Sequence, residues 1–206
     1  MAATGAIPGP PRRFRYNVFM APSPHPGQCP KRAYPKLAAL IDYLEGLDGR
    51  ADLTTLSRLL EDLDIARADI GPACCFGARA YKRNSISRGP WHELVALCWR
   101  SGDVTPIHDH EGSSCAFKVI EGEGTEIRFS RTPSGLVCPA TVNRMPEGYL
   151  CAADDADIHQ VANMQAPGLD LITLHIYSPA IVSMRTYRFN CRNPVEMVEM
   201  GAVLEG

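Results

Sequence analysis

His108 and His110 stand one residue apart in "GDVTPIHDHEGSSC", Gly102 to Cys115, and Cys115 follows the second histidine by five residues. In a strand, residues two apart point to the same side, so both imidazoles can face one interior while Asp109 faces away. Imidazole nitrogens suit zinc, copper, nickel and iron. A lone HxH is weak evidence, and a turn that happens to carry polar residues stays open as the alternative. Two other stretches carry chemistry. "DLITLHIYSP" puts Thr173, His175 and Tyr177 on one face at spacing two, with Ile172, Leu174 and Ile176 on the other. A polar face in an apolar strand costs burial energy unless its groups are hydrogen-bonded, so it is either a structural network or the wall of a pocket. "YKRN", Tyr81 to Asn84, offers Arg83. That side chain is a solvated surface charge or, inside a pocket, a fork of donors suited to a carboxylate.

The elements that must position these groups follow from the pattern around them. The chain has 206 residues, 45% hydrophobic and 21% charged, enough for one sizeable core. Its formal net charge of -2 and the lack of a basic stripe argue against nucleic acid. No apolar run approaches the length that spans a membrane. Eight cysteines without a CxxC pair, in a chain too large to need staples, read as reduced thiols in a cytoplasmic protein. Residues 1–32 hold arginines and prolines but no acidic residue. Scarce serine and the helix-breaking prolines argue against a transit peptide, so a disordered extension is expected there.

Residues 33–206 are expected to form one domain. Leu37, Leu40, Ile41 and Leu44 recur at helical spacing up to Gly46, and a second helix opens at Asp52 with the stripe Leu53, Leu56, Leu59, Leu60 and Leu63. These packing helices occupy 33–80. A β core follows over 81–192, where "HELVALCW", "SSCAFKVIEG", "GTEIRFSR" and "DLITLHIYSP" read as strands separated by glycine and proline turns. Many short strands in such a span indicate a sandwich or barrel, the jelly-roll group included.

The spacing Gly102, His108-x-His110, Cys115 and Gly122 resembles the first motif of the cupin superfamily, with cysteine where a glutamate ligand usually sits. His159 and Asn163 fit the end of the second cupin motif after Gly148, although Asp154 and Ala156 replace its proline and glycine. The resemblance implies a mainly β fold, a small cupin-type jelly-roll barrel behind two or three N-terminal α-helices, and a site formed by His108, His110 and His159. Three neutral ligands leave a divalent ion its full charge, so anionic partners can still bind it.

With "YKRN", "LCW", "PIHDH", Cys115, "HQVAN" and "LHIYSP" in place, the chain over roughly residues 35 to 190 resembles the cysteine dioxygenases. That likeness implies one Fe(II) per chain on the three histidines, with Arg83 and Tyr81 holding the carboxylate of L-cysteine. The substrate's thiolate and amine would bind the metal beside O2, and both oxygen atoms would reach sulfur. The product is cysteine sulfinate, the first step of cysteine catabolism. Tyr177 resembles the family's active-site tyrosine, His175 and Thr173 its hydrogen-bonded relay, and Cys115 the cysteine joined to that tyrosine by a thioether bond, an animal-type feature. The family also implies a monomer. Thr173 stands where serine is familiar but keeps the hydroxyl, and Ser114 replaces a histidine without expected consequence; Trp99 reads as core. The alternatives are a dioxygenase for another small thiol such as 3-mercaptopropionate, against which Arg83 speaks, a zinc or manganese cupin acting as a Lewis acid, and a metal-binding cupin without catalysis.

Overall fold

The computed structural model describes residues 20–21, 29–153, 157–188 and 196–199. Its helices are α1 (Pro30–Ala33), α2 (Ala38–Glu45) and α3 (Leu53–Glu61). Its strands are β1 (Met20–Ala21), β2 (Lys82–Gly89), β3 (His92–Trp99), β4 (Ile107–His108), β5 (Ser114–Glu121), β6 (Gly124–Arg131), β7 (Val137–Met145), β8 (Leu150–Ala153), β9 (Ile158–Ala162), β10 (Leu171–Ser178), β11 (Ser183–Tyr187) and β12 (Glu196–Glu199). They make two six-stranded sheets, ordered β1-β2-β3-β10-β5-β8 and β12-β11-β4-β9-β6-β7. The expected mainly β barrel behind short helices is the architecture found.

Three elements start or lie where the sequence offered none. Helix α1 begins at Pro30 and β1 runs parallel to β2, both within or reaching into the extension assigned to residues 1–32. β12 adds a strand beyond residue 192, where the sequence offered no assignment. The second-motif positions Asp154 and Ala156 lie outside the described residues, as do residues 1–19 and 22–28.

Alternation along the strands gives the first sheet two different faces. Leu94, Ala96 and Cys98 of β3, Ala116 and Ile120 of β5, and Ile172, Leu174 and Ile176 of β10 pack outward against the helices. Val95, Leu97 and Trp99, Cys115, Phe117 and Val119, and Tyr177 point inward toward the second sheet. Helix α3 starts at Asp52, whose carboxylate accepts from the Thr55 backbone N–H at 2.8 Å. Its Leu56 and Leu60 are fully buried, each worth about 1.5–3 kcal/mol relative to exposure. Lys118 of β5 ties the end of that helix to the barrel, donating to the carbonyls of Leu60 at 2.9 Å and Leu63 at 2.7 Å. The helices thus brace the strands that carry the candidate site.

Gly122 closes the β5–β6 turn at φ 81°, in the left-handed region. A Cβ there would lie 2.3 Å from the Asp170 carbonyl oxygen, so only glycine fits. Among the described residues, every cysteine is a free thiol, and no helix is long and apolar enough to cross a membrane.

Candidate metal centre and its surroundings

His108 closes β4, His110 lies just past its end, and His159 sits on β9 directly opposite His108. The strand expected to carry both members of the HxH pair therefore holds only the first. The second is aimed by the turn that follows, where Glu111 adopts φ 38°. Asp109 does face away from the histidines, yet it is buried: Tyr187 donates to it at 2.6 Å and Arg185 pairs with it at 3.2 Å. Those contacts pin the loop.

The three imidazoles converge, each offering a ligand nitrogen within 4.8 Å of the others. His108 bonds the Pro106 carbonyl through Nδ1 at 2.9 Å, and His159 bonds Glu126 through Nδ1 at 3.0 Å. A carbonyl and a carboxylate only accept, so each Nδ1 carries a proton and Nε2 is the nitrogen left to serve as ligand. Nε2 of His159 and Nε2 of His110 lie 3.3 Å apart, while Nδ1 of His110 has no protein partner. Burial, with the charge of His159 second, lowers the His108 pKa to about 3; burial likewise holds His110 well below its usual value. Three buried imidazoles whose ring nitrogens converge on one point are what a divalent metal requires. The donor set fits.

Glu126 was not singled out from sequence, and the signal was present: an acid in the buried strand "GTEIRFSR" with Arg128 two residues on. Besides His159, it accepts from Arg128 Nε at 2.9 Å and Asn143 Nδ2 at 3.2 Å. Burial opposes its charge, but the hydrogen bonds from His159 and Arg128 win and bring its pKa to about 2. Such a carboxylate fixes both the tautomer and the orientation of a ligating imidazole.

β10 and β5 supply the neighbouring wall. Tyr177 and Cys115 are direct cross-strand partners, and both reach Nδ1 of His175, the hydroxyl at 3.2 Å and the thiol at 3.8 Å. Nε2 of His175 meets Thr173 Oγ1 at 2.9 Å, and Trp99 Nε1 donates to that same oxygen at 3.1 Å. Trp99 is therefore more than core: it anchors the chain Thr173, His175, Tyr177. Burial keeps His175 well below its usual pKa and pushes up both the Cys115 thiol and the Tyr177 phenol. All are in their neutral forms at pH 7. Ser114, next to Cys115, lies on the other side of β5 and approaches Arg50 at 3.4 Å.

Arg83 is only 3% exposed, its guanidinium 5.1 Å from the centre of the Tyr177 ring. Tyr81, two residues earlier, stacks on Trp99 at 4.3 Å. Glu93 of β3 lies 3.1 Å from Arg83 and 3.3 Å from Arg88, a buried carboxylate that strand reading had passed over. Burial disfavours the Arg83 charge, but Glu93 and then the two tyrosines more than offset this. A narrow cleft reaches His110 and His159 between Cys115, Glu126, Cys151 and Asp157; Arg83 and Tyr81 are not among its walls. Asn163, the last cupin-motif position, is structural, donating to the carbonyls of Trp99 and Leu169.

The sequence matches the family described as cysteine dioxygenase type I over residues 48–190. Among curated proteins, cysteine dioxygenase type 1 of Danio rerio is 31% identical over 130 residues, which are 59% of this chain and 64% of that protein. The chain thus spans less than two thirds of that relative. The Rattus norvegicus protein of the same name is 27% identical over 169 residues, 78% of this chain and 84% of its own. Among solved structures, a double-stranded beta-helix domain protein from Klebsiella pneumoniae aligns at 13% identity and a TM-score of 0.46, covering 58% of this chain and 94% of that one.

Proposed function

Because the chain belongs to the cysteine dioxygenase type I family, we propose that it converts L-cysteine and O2 to cysteine sulfinate as a non-haem iron enzyme, placing both oxygen atoms on sulfur. The observation that carries this reading is the convergence of His108, His110 and His159 beside the Cys115–Tyr177 pair within one barrel interior. Fe(II), one per chain, would be held by the three imidazoles and would supply binding of thiolate and O2, the chemistry that favours an oxidisable sulfur. The protein supplies orientation and charge.

Arg83 and Tyr81 take the substrate's carboxylate. Tyr177, with its hydroxyl on His175 and that imidazole on Thr173, forms a chain along which a proton can be held at the phenol oxygen or passed inward. The sulfinate stands two oxidation steps above the thiol. Cys115 and Tyr177 are cross-strand partners, and a thioether between them is part of the proposed function: the thiol S–H and a ring C–H each lose hydrogen, O2 takes up both electrons and both protons as hydrogen peroxide, and a C–S bond forms. The link raises activity without being essential, and intact, unmodified Cys115 and Tyr177 peptides after many turnovers would rule it out. The enzyme acts as a cytoplasmic monomer.

An oxygen electrode tests the assignment. Iron-loaded protein should consume O2 with L-cysteine faster than with 3-mercaptopropionate, and zinc-loaded protein should consume none. Equal rates, or none with cysteine, would overturn the role of Arg83. Arg83→Gln should lose cysteine turnover chiefly through a raised KM.

A further inference from the structure

Glu93 is a fully buried carboxylate inside the barrel that the proposed reaction does not use. It pairs across strands with Tyr177 on one side and Arg88 on the other. Its oxygens lie 3.1 Å from Arg83 and 3.3 Å from Arg88, yet neither accepts a hydrogen bond of good geometry. On the arginine side, Nε and Nη2 of Arg83 are likewise buried without an acceptor. Charge is therefore matched while hydrogen bonding is left open on both partners. Buried ions in that condition are costly, more so than unsatisfied neutral groups.

A ligand that both accepts and donates would satisfy the two together. A carboxylate answers the free donors of Arg83. An α-amino nitrogen, whether free or metal-bound, carries N–H donors that answer Glu93. A simple mercapto acid brings the anion but no donor, so it leaves the open acceptors of Glu93 unanswered. Arg83, Arg88 and Glu93 sum to one positive charge, which matches one substrate carboxylate.

We propose that Glu93 is a specificity-determining residue of the Arg83 subsite, selecting α-amino-acid thiols over mercapto acids that lack the amine. This rests on the proposed reaction, in which Arg83 holds the substrate's carboxylate.

Anaerobic calorimetric titration of the iron-loaded protein with L-cysteine and with 3-mercaptopropionate reads the selectivity as a ratio of Kd values, and oxygen uptake reads it as a ratio of kcat/KM. In Glu93→Gln, which keeps the shape and removes the charge, both ratios should fall by about tenfold or more. Glu93→Asp keeps the charge and should hold them within about threefold of the native protein. Glu93→Asn carries the same expectation as glutamine and serves if that variant does not fold. Ratios unchanged in the folded neutral variants overturn the inference alone. Absence of cysteine turnover in the native iron-loaded protein overturns the reaction assignment and the inference with it.

Discussion

Replacing Glu126 by glutamine removes one charge next to the candidate metal centre and changes almost no volume. The carboxylate accepts three hydrogen bonds, from His159 at 3.0 Å, Arg128 at 2.9 Å and Asn143 at 3.2 Å. Glutamine has a single acceptor oxygen. If it keeps the bond to His159, its amide N–H groups meet Arg128 and the Asn143 amide, donors against donors. The imidazole also loses the anion that makes its Nε2 a better ligand. Removal of such an orienting partner costs about 10–100-fold in metal affinity, or roughly 1.4–2.7 kcal/mol. Competition with a chromophoric chelator under anaerobic conditions gives the Fe(II) affinity directly, and Zn(II) repeats the measurement with an ion that cannot be oxidised. Asn143→Ala, which leaves the Glu126–His159 bond in place, should shift affinity by less than about threefold. A folded Glu126→Gln protein that binds both ions within about twofold of the native protein would refute the orienting role.

The remaining expectations concern stability. Thr173→Val keeps the shape but strands the Trp99 N–H and the His175 nitrogen, so urea unfolding should show a loss of about 1–3 kcal/mol, where an unchanged midpoint would contradict the network. Gly122→Ala forces a Cβ to within 2.3 Å of a backbone oxygen at φ 81° and should cost about 2 kcal/mol or more by the same measurement. Burial lowers the pKa of His92, despite nearby Glu45, and that of His175. The unfolded chain takes up these protons near pH 6.5 and the folded chain only at lower pH. Stability is therefore fully present above that pH and falls below it, by up to about 1.4 kcal/mol per pH unit for each histidine. His92→Gln should flatten the profile measured between pH 7.5 and 5.5, and a profile of native slope would count against a neutral buried His92.

Much of the site was legible wherever a short local pattern sufficed. The HxH spacing, the alternating face of β10 and the cap at Asp52 each depend on residues a few positions apart. Cys115 and Tyr177 were matched through family resemblance, and strand pairing then set them opposite each other. What escaped was cross-strand pairing. Glu126 reaches His159 across 33 positions, and Trp99 reaches Thr173 across 74. Neither register can be counted from periodicity, because alternation tells which face a residue takes and not which neighbour it meets. Glu93 was hidden for the same reason, since "HELVALCW" identifies a buried strand without revealing that two arginines on β2 await its one acid.

The histidines with Glu126 belong to the second sheet or the turn beside it, whereas Arg83, Glu93, Cys115, Thr173, His175 and Tyr177 all stand on the first. In the proposed reading, ion capture and molecular choice thus fall to separate sheets of one barrel. Changes on β2, β3, β5 or β10 can retune which thiol is accepted while the ion's cage stays as it was, and changes on β6 or β9 can do the reverse. If the proposed reading holds, a barrel divided in this way can drift toward new substrates without first losing the donor set that would hold its metal.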